Sequence, residues 1–304
     1  MRTVVLAGGT GGAKLAAGFQ SFLPPGDLTV IANTADDDEF WGLLVCPDVD
    51  ATIYRLAGLF DDAVGYGQKG DTFLTLEALG RLGEPTWFRI GDRDLATHVL
   101  RADMLNSGSR PTETALELCR RFGLPSHVLP MTDDKVRTRF VTDRGTLSFQ
   151  EYFVRERLAP ELHSIDIAGG DAAESTPEVT AALVDADLVV IGPSNPLISI
   201  EPILKVIGRQ LHRERTVAVT PIVRGAALKG PTVEMLRALN YEASPQEVAR
   251  RYAAVASAFV LDTRDAGLAG EIEAMGYRVM VFDTVMADGG AGLAKEISAA
   301  FQVT

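Results

Sequence analysis

Seven short apolar runs recur along the chain, at 3–7 (TVVLA), 28–33 (LTVIAN), 86–90 (TWFRI), 187–192 (DLVVIG), 216–222 (TVAVTPI), 258–262 (AFVLD) and 278–283 (RVMVFD). Most are continuous rather than alternating, the pattern of strands covered on both faces in a parallel sheet. Helix-like stretches fall between them, at 13–23, 93–105, 112–122, 177–185, 201–212, 232–239, 245–256 and 291–301. Strand and helix in alternation predict an α/β fold with right-handed crossovers, a Rossmann-like, doubly wound, mostly parallel sheet. Between about 53 and 135 helices dominate, which predicts a small helical insertion beside the sheet. Residues 136–154 alternate around Asp143-Arg144-Gly145 and predict a β-hairpin. No repeat or low-complexity linker divides the chain, so 1–304 is expected to form a single unit.

The first strand runs into Gly8-Gly9-Thr10-Gly11-Gly12-Ala13-Lys14 and then into a helical stretch. A strand, a glycine loop and a helix in that order aim backbone N–H groups and the positive end of a helix dipole at one point, where an anion binds well. Neither standard phosphate motif is present. Counted from Gly9, the third glycine of a dinucleotide fingerprint is replaced by Lys14, and Ala13-Lys14-Leu15 is not a Walker triplet. A dinucleotide-dependent oxidoreductase is therefore disfavoured. Gly9, Thr10, Gly11, Gly12 and Lys14 remain candidates for phosphate contact.

Acidic groups crowd the next loops: Asn33-Thr34-Ala35-Asp36-Asp37-Asp38-Glu39 after the second strand, then Cys46-Pro47-Asp48-Val49-Asp50. Carboxylates beside a phosphate loop repel the ligand unless a cation stands between them, and Mg²⁺ takes one or two carboxylates plus phosphate oxygens. In an extended segment Asp48 and Asp50 would share a face, whereas on a helix they would diverge. Gly70-Asp71-Thr72, Arg89-Ile90-Gly91-Asp92 and Gly192-Pro193-Ser194-Asn195-Pro196 add polar groups at strand or helix junctions, and Arg224 and Lys229 add cations after a later strand. Asp71 and Asp92 could equally be helix N-caps. Histidine pairs at metal spacing and a GxSxG nucleophile elbow are both lacking. The chemistry on offer is phosphate positioning and metal electrostatics.

Charge narrows the partners. With 29 Lys+Arg against 41 Asp+Glu the net charge is −12, which argues against nucleic acid or an anionic membrane surface. Cys46 and Cys119 are far apart without a CxxC pattern, and no signal peptide or membrane span is legible, so a cytoplasmic location is expected.

Taken in order, AGGTGGAKL (7–15), ANTADD (32–37), CPDVDATIYRLAG (46–58), KGDTF (69–73), RIGDRDLATH (89–98), LPMTDD (129–134), FQEYFV (149–154), IGPSNPLISIEPIL (191–204) and VTPIV (219–223) with KGP (229–231) resemble the 2-phospho-L-lactate transferase/phosphoenolpyruvate transferase (CofD-type) family of coenzyme F-420 biosynthesis. The resemblance implies a Rossmann-like core, Mg²⁺ and a homodimer. It also implies a reaction: the phospho-acid part of a guanylylated three-carbon acid moves to the ribityl hydroxyl of the deazaflavin Fo, giving F-420-0 or its dehydro form and GMP. Carried over residue by residue, it assigns Asp50, Arg89 and Asp92 to Fo and Asp50 with Asp48 to catalysis. The glycine loop, Asn33, Asp37, Ser194 and Asn195 fall to the guanosine diphosphate portion, and Asp36, Asp37 and Asp50 to the metal. Arg224-Gly225 and Lys229-Gly230-Pro231 depart from the family pattern, so contacts there and the identity of the acid stay open. A non-catalytic, nucleotide-sugar-binding regulator of the wider superfamily is the alternative; it would have no use for the segments assigned to the acceptor.

Overall fold

The computed structural model describes residues 1–228 and 230–302. Its strands are β1 (Thr3–Ala7), β2 (Leu28–Ala32), β3 (Asp38–Phe40), β4 (Leu43–Val45), β5 (His127–Pro130), β6 (Arg137–Thr142), β7 (Gly145–Ser148), β8 (Leu162–Ala168), β9 (Leu188–Ile191), β10 (Thr216–Val219), β11 (Ile222–Val223), β12 (Ala226–Ala227), β13 (Ala258–Asp262) and β14 (Arg278–Phe282). Helices α1 (Gly9–Gln20), α2 (Pro47–Leu56), α3 (Leu74–Arg81), α4 (Asp92–Asn106), α5 (Pro111–Arg121), α6 (Pro177–Asp185), α7 (Glu201–Ile207), α8 (Thr232–Ala238), α9 (Pro245–Tyr252), α10 (Ala269–Glu273) and α11 (Ala291–Gln302) surround them.

Seven strands form one sheet in the order β5-β2-β1-β9-β10-β13-β14, and every neighbouring pair is parallel. The chain winds outward from β1 through β2 to β5, returns to β9 beside β1, and winds outward the other way. This doubly wound order puts the reversal between β1 and β9, and ligands of such sheets bind outside the carboxyl ends of the strands at that point. Continuous apolar strands follow from burial on both sides. Val4 and Leu6 join one core with residues of α6, α7 and α9, while Val5 and Ala7 join a second with α1, α2, α5 and α11.

Two departures from the sequence pattern have physical reasons. Residues 86–90 are irregular rather than a strand. Their aromatic rings pack on Phe40, with the Phe40 and Phe88 rings stacked at 3.9 Å between centroids. With Trp87 and Phe88 half-buried, the run records ring packing, not a strand partner. The seventh sheet position is taken instead by β5, so the segment expected to be a helical insertion ends in the sheet's edge strand. At four residues, closing on Pro130, β5 has too little pattern to read, and an edge is where a strand proline is tolerated. The hairpin forms over β6 and β7, but β8 adds a third antiparallel strand along β6. Residues 151–155 close a helical turn, with the Glu156 amide on the Glu151 carbonyl at 2.8 Å, where the hairpin was expected to continue. Among the described residues no helix is long and apolar enough to cross a membrane.

A candidate active site at the sheet's switch point

The glycine segment is less loop than first helical turn. Gly8 is extended, Gly9 opens α1 at φ +68°, a backbone conformation that suits glycine, and Gly9 to Gly12 lie within the helix. Two of these glycines answer to packing. A Cβ on Gly11 would run into the carbonyl oxygen of Pro193, and one on Gly12 would sit 2.7 Å from the Ser194 hydroxyl. The Ser194 hydroxyl also accepts the Gly8 amide at 3.3 Å. So the glycine content that looked like a phosphate signal is explained in part by the close approach of residues 192–199 across the switch point. What remains of that signal is the helix N-terminus itself, with Gly9 and Thr10 bordering a cavity.

An internal anion already stands there. Asp48 Oδ1 accepts the Gly9 amide at 2.5 Å, and Oδ2 accepts Asn33 Nδ2 at 2.9 Å. Asn33 is fully buried, and its Nδ2 and Oδ1 are occupied by Asp48, the Ile198 carbonyl and the Ala35 amide. It ties the ends of β1, β2 and the 192–199 segment together; its side chain is not turned to a ligand. Burial pushes the Asp48 carboxyl up to about 6 despite the Asn33 and Gly9 bonds. Asp36, which accepts the Thr138 hydroxyl at 2.9 Å, is raised by burial and then by the Asp48 charge. A buried acid at the helix N-terminus, whose charge also disfavours that of Asp36, suits a cation and a phosphate arriving together.

Asp48 and Asp50 do not share a face. Pro47 is the first residue of α2, so the pair sits on a helix. Two residues apart at about 3.6 residues per turn, their side chains diverge. Asp50 points instead to α4, where Arg101 spans both its oxygens, Nη2 on Oδ1 and Nη1 on Oδ2 at 3.1 Å. Arg101 Nη1 lies 3.0 Å from His98 Nδ1; Arg donates only, so His98 accepts there. Asp94, one turn before His98, accepts the Tyr54 hydroxyl at 2.8 Å. Burial works against the Asp94 charge, but His98 and Tyr54 outweigh it and hold the carboxyl below its ordinary range. Asp94, His98 and Arg101 fall at i, i+4 and i+7 on α4 and face Asp50 and Tyr54 at i and i+4 on α2. That shared-face spacing was the available signal for a network that sequence reasoning had passed over.

Between this network and the glycine turn lies a cavity of about 500 Å³. Asp48, Asp50, Asp94 and His98 form its polar side, and Arg89 also lines it. Its walls include Tyr66, Trp87, Phe88, Phe149 and Phe153. Arg89 lies over the Phe73 ring at 4.2 Å, and Phe149 stacks on Phe153 at 5.4 Å. The cavity thus pairs a flat-walled aromatic chamber with an anion site at one end.

Other expected site residues lie elsewhere. Asp92 is half-buried and accepts the Thr72 hydroxyl at 2.5 Å and the Leu74 and Thr75 amides at 3.0 and 2.9 Å, capping α3. Asp71 answers by accepting the Arg93 and Asp94 amides at 2.7 and 3.1 Å, capping α4. The two acidic motifs cap each other's helices, and Asp92 is not on the cavity wall. Asn195 caps its own turn through the Leu197 amide at 2.9 Å. Lys14 faces Asp288, whose carboxyl is held low by the Gly292 and Gly290 amides and more weakly by Lys14. Asp37 lines a separate cavity of about 310 Å³ with Arg101, Arg137 and Cys46, and burial pushes its carboxyl up to about 7. The expected metal set of Asp36, Asp37 and Asp50 is therefore not assembled: Asp37 faces the second cavity and Asp50 faces Arg101. Among the described residues no three acidic, His or Cys side chains converge as a cation cage. Arg224 sits at φ +51° in the turn between β11 and β12, its amide on Asp265 at 2.8 Å. Lys229 lies outside the described residues.

Comparison with known proteins adds to the geometry. The profile of the family described as 2-phospho-L-lactate transferase CofD matches residues 3–290. A 2-phospho-L-lactate transferase of Methanosarcina barkeri is 38% identical over 285 residues, covering 93% of this chain and 92% of that protein. A phosphoenolpyruvate transferase of Streptomyces griseus is 39% identical over 298 residues, covering 95% and 94%. Among solved structures, a UPF0052-family protein of Bacillus halodurans superposes with a TM-score of 0.60 over 97% of this chain and 98% of its own. At 15% identity it bears on the fold alone.

Proposed function

The chain belongs to the 2-phospho-L-lactate transferase CofD family, and on that premise we propose that it is a transferase of coenzyme F-420 assembly. It moves the phospho-acid group of a guanylylated three-carbon acid to the ribityl hydroxyl of Fo. The observation that carries this reading is the aromatic chamber opening onto the first turn of α1. One substrate is flat and tricyclic with a hydroxylated tail; the other is a diphosphate. Trp87, Phe88, Phe149 and Phe153 offer ring faces for the first, and Gly9 and Thr10 offer the helix N-terminus to the second.

In the transfer, the acceptor hydroxyl oxygen forms a bond to the phosphorus that carries the acid as its O–H bond breaks, the proton passing to water. The bond from that phosphorus to the oxygen bridging it to guanosine monophosphate breaks, and GMP leaves with the bridging oxygen and its electron pair. Such displacements need positioning and charge stabilisation more than a covalent nucleophile. Asp36 and Asp48 fit a divalent cation, since both are buried and the Asp48 charge disfavours that of Asp36. When bound, Mg²⁺ supplies charge neutralisation of the diphosphate. The Gly9 amide, now on Asp48, is the donor that an incoming phosphate oxygen would compete for. Asp50, bordering the chamber, accepts hydrogen bonds from the hydroxylated tail of Fo and orients it.

Relatives of 38% and 39% identity bear names that differ in the acid they transfer, so overall similarity does not choose the donor. Mass spectrometry does. The purified protein is given Fo, Mg²⁺ and, in turn, the guanylylated forms of phospholactate, phosphoenolpyruvate and phosphoglycerate. One deazaflavin phosphodiester and equimolar GMP are expected; no product with any of the three would overturn the assignment.

A further inference from the structure

Asp50 and Arg101 are each 3% exposed, and together they form the partition between two cavities. Asp50 lines the aromatic chamber, and Arg101 lines the smaller one beside Asp37 and Cys46. From this arrangement we propose that Arg101 is a positioning residue for the transfer, one that sequence patterns alone did not single out. It fixes the Asp50 carboxylate as an oriented acceptor for the acceptor substrate's hydroxyl groups and keeps it from serving as a metal ligand.

The geometry supports each part. A carboxylate has about four lone-pair directions. The guanidinium fork takes one on each oxygen, which sets the plane of the group and leaves the other two free. Arg101 is itself restrained, since Nη1 also lies 3.3 Å from the Leu44 carbonyl and 3.0 Å from His98 Nδ1. Its orientation is thus set from β4 and from α4, and Asp50 inherits it. Neighbouring acids raise the affinity of Arg101 for its proton, Asp50 most of all, against the opposing effect of burial. A lysine cannot reproduce this arrangement, because one ammonium does not bridge two carboxylate oxygens in a fixed plane.

The inference rests on the reading of Asp50 as facing Fo, and the experiment separates the two. Fo binding is followed by its own fluorescence, and transfer is followed as GMP release with Fo varied. Proteins compared are the wild type, Arg101→Lys, Arg101→Ala, Asp50→Asn and the double variant Asp50→Asn/Arg101→Met. The double variant leaves no unpaired buried charge and so guards against simple unfolding, which circular dichroism and melting check. Arg101→Lys is expected to lower kcat/KM for Fo by about 10–100-fold while GDP–Mg²⁺ affinity, read by calorimetry, stays within about twofold. Methylguanidinium is expected to restore part of the lost activity to Arg101→Ala and none to Asp50→Asn. A folded Arg101→Lys protein with unchanged Fo binding and turnover would overturn the role of Arg101. So would an equal loss on the GDP side, or the absence of rescue. A wild-type protein that does not bind Fo at all would instead overturn the functional reading.

Discussion

Replacing Asp48 with Asn isolates the electrostatic conflict at the helix N-terminus. Folding raises the Asp48 carboxyl from 3.8 to about 6, so the native state holds a proton that the unfolded chain has lost across that window. Where the native state binds more protons, stability falls as pH rises. At about 1.4 kcal/mol per pK unit, the charged Asp48 destabilises the protein near neutral pH by about 3 kcal/mol. Asn removes that burden but opposes its own amide to Asn33 Nδ2, a mismatch that costs about 1–2 kcal/mol at every pH. The variant is therefore expected to be the less stable protein in acid and the more stable one at neutrality. Of the full difference, about 2 kcal/mol should develop between about pH 4.5 and 7.5. Removing Asp48 also takes away one of the charges that raise Asp36, which acts in the same direction. The assay is urea unfolding by circular dichroism at several pH values, without divalent metal, scored as variant minus wild type. The subtraction cancels the exposed acids such as Glu117, whose lowered pKa pulls the opposite way. A difference that stays flat with pH, or shrinks as pH rises, would refute the reasoning.

Three further outcomes are expected. Gly11→Ala should lose about 1–3 kcal/mol of stability, because its Cβ meets a backbone carbonyl that cannot rotate away, and thermal melting would read the loss. Asp92→Ala should speed amide exchange over Thr72 to Leu82 while leaving Fo affinity within about twofold, since its work is capping α3; a large loss of Fo binding would return it to the site. Trp87→Ala should weaken Fo binding by about tenfold through the lost ring contact, with GDP binding unchanged, measurable by fluorescence titration and calorimetry.

The sheet was largely readable because its central strands must be largely apolar, and β1, β2, β9, β10 and β13 carry that signature, while β14, at an edge, is apolar after Arg278. Where ring packing and strand pairing part company, the pattern misleads: Trp87 and Phe88 look like strand residues but are half-buried, packed on Phe40 and bordering the cavity. β5 was hidden by its brevity. Within the site, the glycine turn and the acids after β2 and in α2 were legible as a charge conflict, yet which acids face one another was not. That depended on Pro47 starting a helix, which sends Asp48 toward Gly9 and Asp50 toward Arg101. Asp92 showed the limit of motif reading. A carboxylate that caps a helix and one that holds a ligand look alike until the amides they accept are seen.

The central claim is that one crevice holds both substrates, a flat deazaflavin in the aromatic chamber and a diphosphate on the first turn of α1. A crystal structure of the protein with Fo, GDP and Mg²⁺ tests it most directly. The expected density places the tricyclic ring among Trp87, Phe88, Phe149 and Phe153, the diphosphate at Gly9 and Thr10, and the cation against Asp36 and Asp48. A structure with the chamber empty and GDP bound away from α1 would contradict the account.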